Sequence, residues 1–174
     1  MKFDIPFDEQ IFKEQMDLNF NSVWNDNLKK NNKRLIWSIP IILLGALIIY
    51  GENYLGFLFI AIGLHYLINF INYNSYYRKS KHKFYELIKT EIIGQKNANK
   101  NCVWEFNEDY LRYKDYRFEA KIKWNAFQSV RIIEKNLFID LNVGYHLSYI
   151  VGEKEIGVDN FDKVTEFIKS KIEK

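Results

Sequence analysis

From Leu35 to Tyr77 the chain carries a single formal charge, Glu52. Ordinary composition would put about a dozen charged residues in a stretch of that length. Inside this cleared block lie two apolar runs, "LIWSIPIILLGALIIY" (Leu35 to Tyr50) and "LGFLFIAIGLHYLINFI" (Leu55 to Ile71). As helices each spans roughly 24–26 Å, a little under the ~30 Å of a hydrocarbon core. Lys33 and Arg34 extend the first by snorkelling; Tyr54, Asn72 and Tyr73 extend the second. A core helix of a small soluble protein keeps a wet stripe, and neither run has one. The block predicts a transmembrane helical hairpin over 34–73, with spans at about 35–51 and 54–73.

The residues "GENY" then form the far turn and force the helices antiparallel. Lys29, Lys30, Lys33 and Arg34 precede the first run, and Arg78, Lys79, Lys81 and Lys83 follow the second. The turn carries no positive charge, so the positive-inside rule places the N- and C-termini in the cytoplasm. Tyr50, Tyr54, Tyr73, Tyr76 and Tyr77 sit where an interfacial aromatic belt belongs. The first apolar run starts too late for a cleavable signal peptide. His65 and Asn69 are four apart, with Asn72 three further on, so all share one helix face. They read either as an intramembrane polar site or proton relay, or as hydrogen bonding between helices or at a dimer contact near the cytoplasmic interface. Gly56 and Gly63 also share a face, which favours close helix packing.

The segment 1–33 predicts a short strand at Phe3 and Ile5, then an amphipathic helix. Asp8 is its N-cap, with Phe7 and Phe12 as a hydrophobic staple. Phe12, Met16, Phe20, Trp24 and Leu28 form its apolar ladder, which packs on the cytoplasmic domain or lies on the membrane. A juxtamembrane helix over 74–96 carries Phe84, Leu87, Ile88 and Ile92 as its stripe and Gly94 as its stop. "QKNANKN" reads as a polar linker.

From 101 to 174 the hydrophobic period changes from 3.6 to 2. "RFEAKIKW" alternates Phe118, Ala120, Ile122 and Trp124 with Arg117, Glu119, Lys121 and Lys123, the pattern of a half-buried antiparallel strand. "CVWEF", "DYLRY", "SVRIIE", "LFIDL" and "YHLSYIV" are further short strands, and "GEKE" a turn. A C-terminal helix over about 160–173 starts at Asp159 or Asn160 and buries Phe161, Val164, Phe167, Ile168 and Ile172. The expected class is an α+β membrane protein: a two-helix transmembrane hairpin plus a cytoplasmic pleckstrin-homology-like (PH-like) antiparallel β-barrel or sandwich with a C-terminal helix.

The stretch "YLRYKDYRFEAKIKWNAFQSVRII" runs charged alternation into Ile122 and Trp124, then Phe127 and Val130. In this pattern and in its layout the chain resembles the YcxB-like membrane proteins of bacteria. The resemblance implies a hairpin in the bacterial inner membrane followed by a PH-like domain, and it brings no catalytic residues. The chain departs from that family afterwards, where "HLSYIVGEKEIGVDNF" replaces a lysine-proline segment.

No reactive constellation is legible. His65, His82 and His146 are not joined to Cys, Asp or Glu at metal-ligand spacing. Cys102 is the single cysteine, and glycine-rich phosphate loops are missing. With 25 basic and 22 acidic residues the charge is too mild for a nucleic-acid stripe. A patch of Arg112, Lys114, Arg117, Lys121 and Lys123 reads as a solvated strand face or as a contact for anionic headgroups. The expectation is a non-enzymatic membrane-anchored interaction module without cofactor. Its partners would be the lipid bilayer, a protein yet to be identified and a second copy of the chain. The alternatives are an immunity protein neutralising a cognate toxin, and a sensor of anionic lipid or envelope stress.

Overall fold

The computed structural model describes residues 1–142 and 147–172. Tyr145 and His146 of the last expected strand, and Glu173 of the expected C-terminal helix, lie outside the described residues. The order is β1 (Lys2–Ile5), α1 (Glu9–Tyr50), α2 (Gly56–Ala98), β2 (Cys102–Phe106), β3 (Tyr110–Lys114) and β4 (Glu119–Lys123). A 3-10 turn (Trp124–Ala126) leads to β5 (Phe127–Ile133), β6 (Asn136–Leu141), β7 (Ser148–Gly152), α3 (Glu153–Ile156) and α4 (Val158–Ile172). The chain divides into two compact units, one of residues 22–87 and one of residues 1–21 with 88–174.

In the second of these units every strand pairing is antiparallel. One sheet has the order β1-β2-β3-β4 and the other β5-β6-β7. β1, drawn from before the helices, pairs with β2, drawn from after them, with Phe3 opposite Trp104 and Ile5 opposite Cys102. The two strands that flank the helical segment are therefore neighbours in one sheet. Alternation decides what is buried. Trp104, Phe106 and Leu111 of the first sheet join Leu137, Ile139 and Val151 of the second in one core. α4 contributes Phe161, Val164 and Ile168, a stripe at helical spacing. The Trp124 indole N–H donates to the Asn107 carbonyl at 2.9 Å, so its polar atom is not stranded by burial.

The strand at 117–124 is shorter than its alternation suggests. β4 starts at Glu119, and Phe118 stands 46% exposed in the preceding turn, where Asp115 Oδ1 accepts from the backbone N–H of Arg117 and Phe118. "GEKE" is a turn of helix, α3, whose Glu155 carboxylate accepts from the Gly152 N–H at 2.6 Å. The β5–β6 turn is Glu134 and Lys135, both with positive φ, as a two-residue hairpin loop requires.

Asp8 caps α1 as expected: its Oδ1 accepts from the N–H groups of Gln10 and Ile11, and the Phe7 and Phe12 rings lie 5.6 Å apart. Gln15 is buried and donates to Asn136 and Glu155, which ties the first turns of α1 to the β6–β7–α3 rim. α2 does not stop at Gly94 but runs to Ala98. Gly94 serves close approach instead: a Cβ there would stand 2.7 Å from Cζ of Tyr116. The stop comes from Asn99, whose φ of 48° is the left-handed conformation asparagine tolerates, and whose N–H reaches the Gln95 carbonyl. "QKNANKN" is thus mostly helix end, not linker.

On β6, Asp140 is buried and receives Arg131 through Nε and Nη2, at 2.7 and 2.8 Å, and the hydroxyls of Ser129 and Ser148. Burial alone would raise the Asp140 carboxyl, but the bonds from Arg131, Ser148 and Ser129 outweigh it and hold the group below its ordinary value. A depressed carboxyl adds stability above the unfolded-state value, and that stability is lost as pH falls through the folded one. Asp140→Asn is expected to cost about 1–3 kcal/mol at pH 7, because it leaves the Arg131 charge underpaired. The gap to the unaltered chain should begin to narrow below about pH 4 and go on narrowing as pH falls through the lowered folded-state value. Thermal unfolding at pH 7 and pH 3 checks this, and a gap equally large at both would refute it.

Candidate membrane interface

In the unit of residues 22–87, α1 and α2 run antiparallel, and their contacts repeat every seven residues on both helices. Gly45 meets Gly56, Ser38 meets Gly63, Asn31 Nδ2 donates to the Phe70 carbonyl at 3.2 Å, and the Trp24 and Tyr77 rings lie 5.3 Å apart. A strict seven-residue repeat gives the pair one continuous seam, with the period that a left-handed supercoil requires. A Cβ on Gly45 would stand 2.7 Å from the Gly56 carbonyl oxygen, and one on Gly63 would stand 2.5 Å from Cγ1 of Ile42. The backbones approach this closely because the seam lacks side chains near the turn. Side-chain size rises along it, from glycine through serine and asparagine to the Trp24–Tyr77 ring pair.

The turn is built from the residues that interrupt the apolar runs. Glu52 takes φ 61° and its N–H reaches the Ile49 carbonyl, while the Asn53 N–H reaches Ile48. This is a Schellman closure, with a glutamate where glycine is usual. Asn53 Oδ1 then accepts from the Leu55 N–H at 2.9 Å as α2 begins.

What is buried and what is exposed here is inverted relative to a soluble helix pair. Ser38 is 0% exposed and Asn31 2%, whereas Ile36 is 65% and Leu47 68%. Trp37, Ile39, Leu43 and Leu44 of α1, and Leu58, Ile62, Leu64 and Ile68 of α2, are likewise exposed. Both helices are long and apolar enough to cross a membrane, and 11% of the apolar window of each is buried. That low share separates them from the core helices of a soluble protein.

The seam fixes which residues stand level with one another. Lys33 and Arg34 lie level with Ile68 and Leu67, and His65 and Asn69 with Ile36 and Asn32. The apolar wall common to both helices therefore ends near Leu35 and Tyr66, about 24 Å from the turn at 1.5 Å per residue. His65 and Asn69 are brought together, with Asn69 Nδ2 and His65 Nε2 2.9 Å apart. The bond stays within α2, and His65 faces outward instead of toward α1. Asn31, a buried polar group that hydrogen-bonds from one helix to the other, was missed by sequence reasoning. Its Oδ1 has no hydrogen-bond partner among the described residues. The signal for it was the spacing of seven that links Asn31 to Ser38 and Gly45.

Lys29, Lys30, Lys33, Arg34, Arg78, Lys79, Lys81 and Lys83 are all exposed. Lys81 Nζ lies 5.8–6.0 Å from the Tyr77 and Tyr85 ring centroids. Among the described residues none of the eight makes an ion pair with a carboxylate. The β-sheet unit treats its cations differently. Arg112 bridges Glu105 and Glu119, Lys114 reaches Glu119, and Arg117 reaches Glu91. Bonds from Asn107 and Arg112 hold the Glu105 carboxyl below the usual range, and Arg112 does the same to Glu119. Lys121 stands over the Tyr110 ring at 5.6 Å. Three of the five cations of the strand patch are thus already satisfied within the chain.

Ile122, Trp124, Phe127 and Val130 all contribute to the core, Trp124 and Phe127 buried and the other two packed against it.

If the seam is what holds the hairpin, Gly45→Val should cost about 1–3 kcal/mol through overpacking. Gly51→Ala, whose Cβ would stand 3.5 Å from the nearest backbone oxygen, should stay within about 0.5 kcal/mol. Equal thermal unfolding of the two variants in detergent would refute the seam.

No family model, curated protein or solved structure matches this chain.

Proposed function

We propose that the chain is a non-enzymatic interaction module of a bacterial cytoplasmic membrane, anchored by the hairpin and holding a PH-like β-domain in the cytoplasm for a protein partner. The observation that carries the anchoring is the inverted hairpin. Glycine, serine and asparagine fill its seam while leucine, isoleucine and tryptophan cover its outside. In water this arrangement would expose a large apolar wall, against the driving force that folds soluble bundles. In lipid it is favourable, because small residues give helix–helix packing and the apolar side chains meet acyl chains.

The PH-like reading is supported by the four-plus-three antiparallel meander with a C-terminal helix packed into its core. Orientation is supported by the eight cations at the open end of the hairpin against none in the turn. The ion pairs on Arg112, Lys114 and Arg117 favour a solvated strand face over a lipid-sensing one.

The test is topological. In a Cys102→Ser background, the full chain should stay in the pellet after carbonate washing. Asn53→Cys should react with an impermeant maleimide added to intact cells, and Lys121→Cys only after permeabilisation. Release by carbonate, or labelling of Lys121→Cys in intact cells, would overturn the reading.

A further inference from the structure

The eight cations at the base of the hairpin read as one belt in sequence, but the seam separates them into two tiers. Lys29 to Arg34 of α1 stand level with residues 67–72 of α2. Arg78 to Lys83 of α2 lie beyond the Trp24–Tyr77 ring pair that closes the seam. At 1.5 Å per residue the tier centres are about 16 Å apart along the helices. That exceeds the Debye length of about 8 Å at physiological salt, so one layer of phosphates does not serve both tiers.

The upper tier is the one against the apolar wall, which ends next to it at Leu35. The common wall, about 24 Å high, falls short of a ~30 Å hydrocarbon core, and cations at its border are drawn to reach for the headgroups. Lys30 and Arg34 are four apart on one face of α1. By the register, Asn69 stands level with the turn between them, and counted at 3.6 residues per turn from the Asn31–Phe70 contact all three fall on the same side of the seam. One side of the hairpin thus gathers two cations without carboxylate partners and an amide at a single height.

We propose that Lys30 and Arg34, with Asn69 beside them, form a site for the phosphate headgroup of an anionic phospholipid of the cytoplasmic leaflet, and that the lower tier does not. The inference rests on the membrane reading above. A phosphate diester presents two acceptor oxygens to the guanidinium fork and the ammonium. The amide N–H₂ can turn to donate to the same group, since its bond to His65 is local to α2.

The test uses the full chain reconstituted into vesicles of phosphatidylcholine and phosphatidylglycerol, extracted in mild detergent and weighed by native mass spectrometry with its retained lipid. The chain should retain phosphatidylglycerol preferentially, and the preference should fall about fivefold for each upper-tier cation removed. Lys30→Gln with Arg34→Gln should bring retention near parity. Lys30→Arg with Arg34→Lys should keep the preference, as should Lys79→Gln with Lys81→Gln. A carbonate-resistant chain with no preference overturns this inference alone, as does equal loss in the two glutamine pairs. Inorganic phosphate that abolishes the preference at matched ionic strength would make the free anion the ligand and overturn the lipid assignment. A chain that carbonate strips from the vesicles overturns the membrane reading as well.

Discussion

The contact between backbones at Gly45, Gly56 and Gly63 is the constraint on which the arrangement of residues 22–87 depends. In the proposed membrane setting two apolar helices gain little from hiding leucine from lipid, so their association there must come from close fit. Here the fit is made by removing side chains, and the missing Cβ atoms leave room for backbone and isoleucine atoms of the opposite helix. A seam of this kind tolerates few registers. Shifting one helix by a residue would bring a Cβ-bearing neighbour against a carbonyl, a repulsion no rotamer change relieves. Asn31 reinforces the choice, because one amide proton finds the Phe70 carbonyl in this register. A buried polar group of this sort contributes specificity more than stability.

Register in turn gives the charges their meaning. Eight exposed cations near two apolar runs are a familiar sign of a membrane border. The seam assigns four of them to the end of the apolar wall and sets the other four farther along. His65 and Asn69 follow the same logic. They fall at the height of Asn32 and Ile36, beside the basic tier, and in the proposed bilayer polar side chains are cheaper to hold at that height than at its middle. In the β-sheet unit Arg112, Lys114, Arg117 and Arg131 are drawn into pairs with Glu91, Glu105, Glu119 and Asp140. These four cations are thus paired within their unit, whereas the eight at the base of the hairpin are left open.

The β-sheet unit depends on a pairing between strands from opposite ends of the helical segment. β1 and β2 flank α1 and α2 in the chain yet exchange hydrogen bonds in one sheet. Because antiparallel helices return the chain to where it left, ordering the long insertion adds little closure cost beyond folding the hairpin. β1 supplies Ile5 and Phe3 to the core formed by Trp104 and Phe106.

Several features follow from sequence alone, because they depend on residues within a turn or two of each other. The cleared charge from Leu35 to Tyr77, the alternation around Ile122 and Trp124, the Asp8 cap and the apolar stripe of the last helix are all of this kind. Local signals mislead where a distant neighbour decides. Gly94 looks like a helix stop but is a seat for Tyr116, and Leu87 looks like core but stands 66% exposed. The division of strands into sheets of four and three, the pairing of β1 with β2, the seam register and the pairing state of each cation belong to the tertiary structure. Each requires two surfaces far apart in the chain to fit in shape and charge, and a linear pattern of residue types does not encode that fit one position at a time.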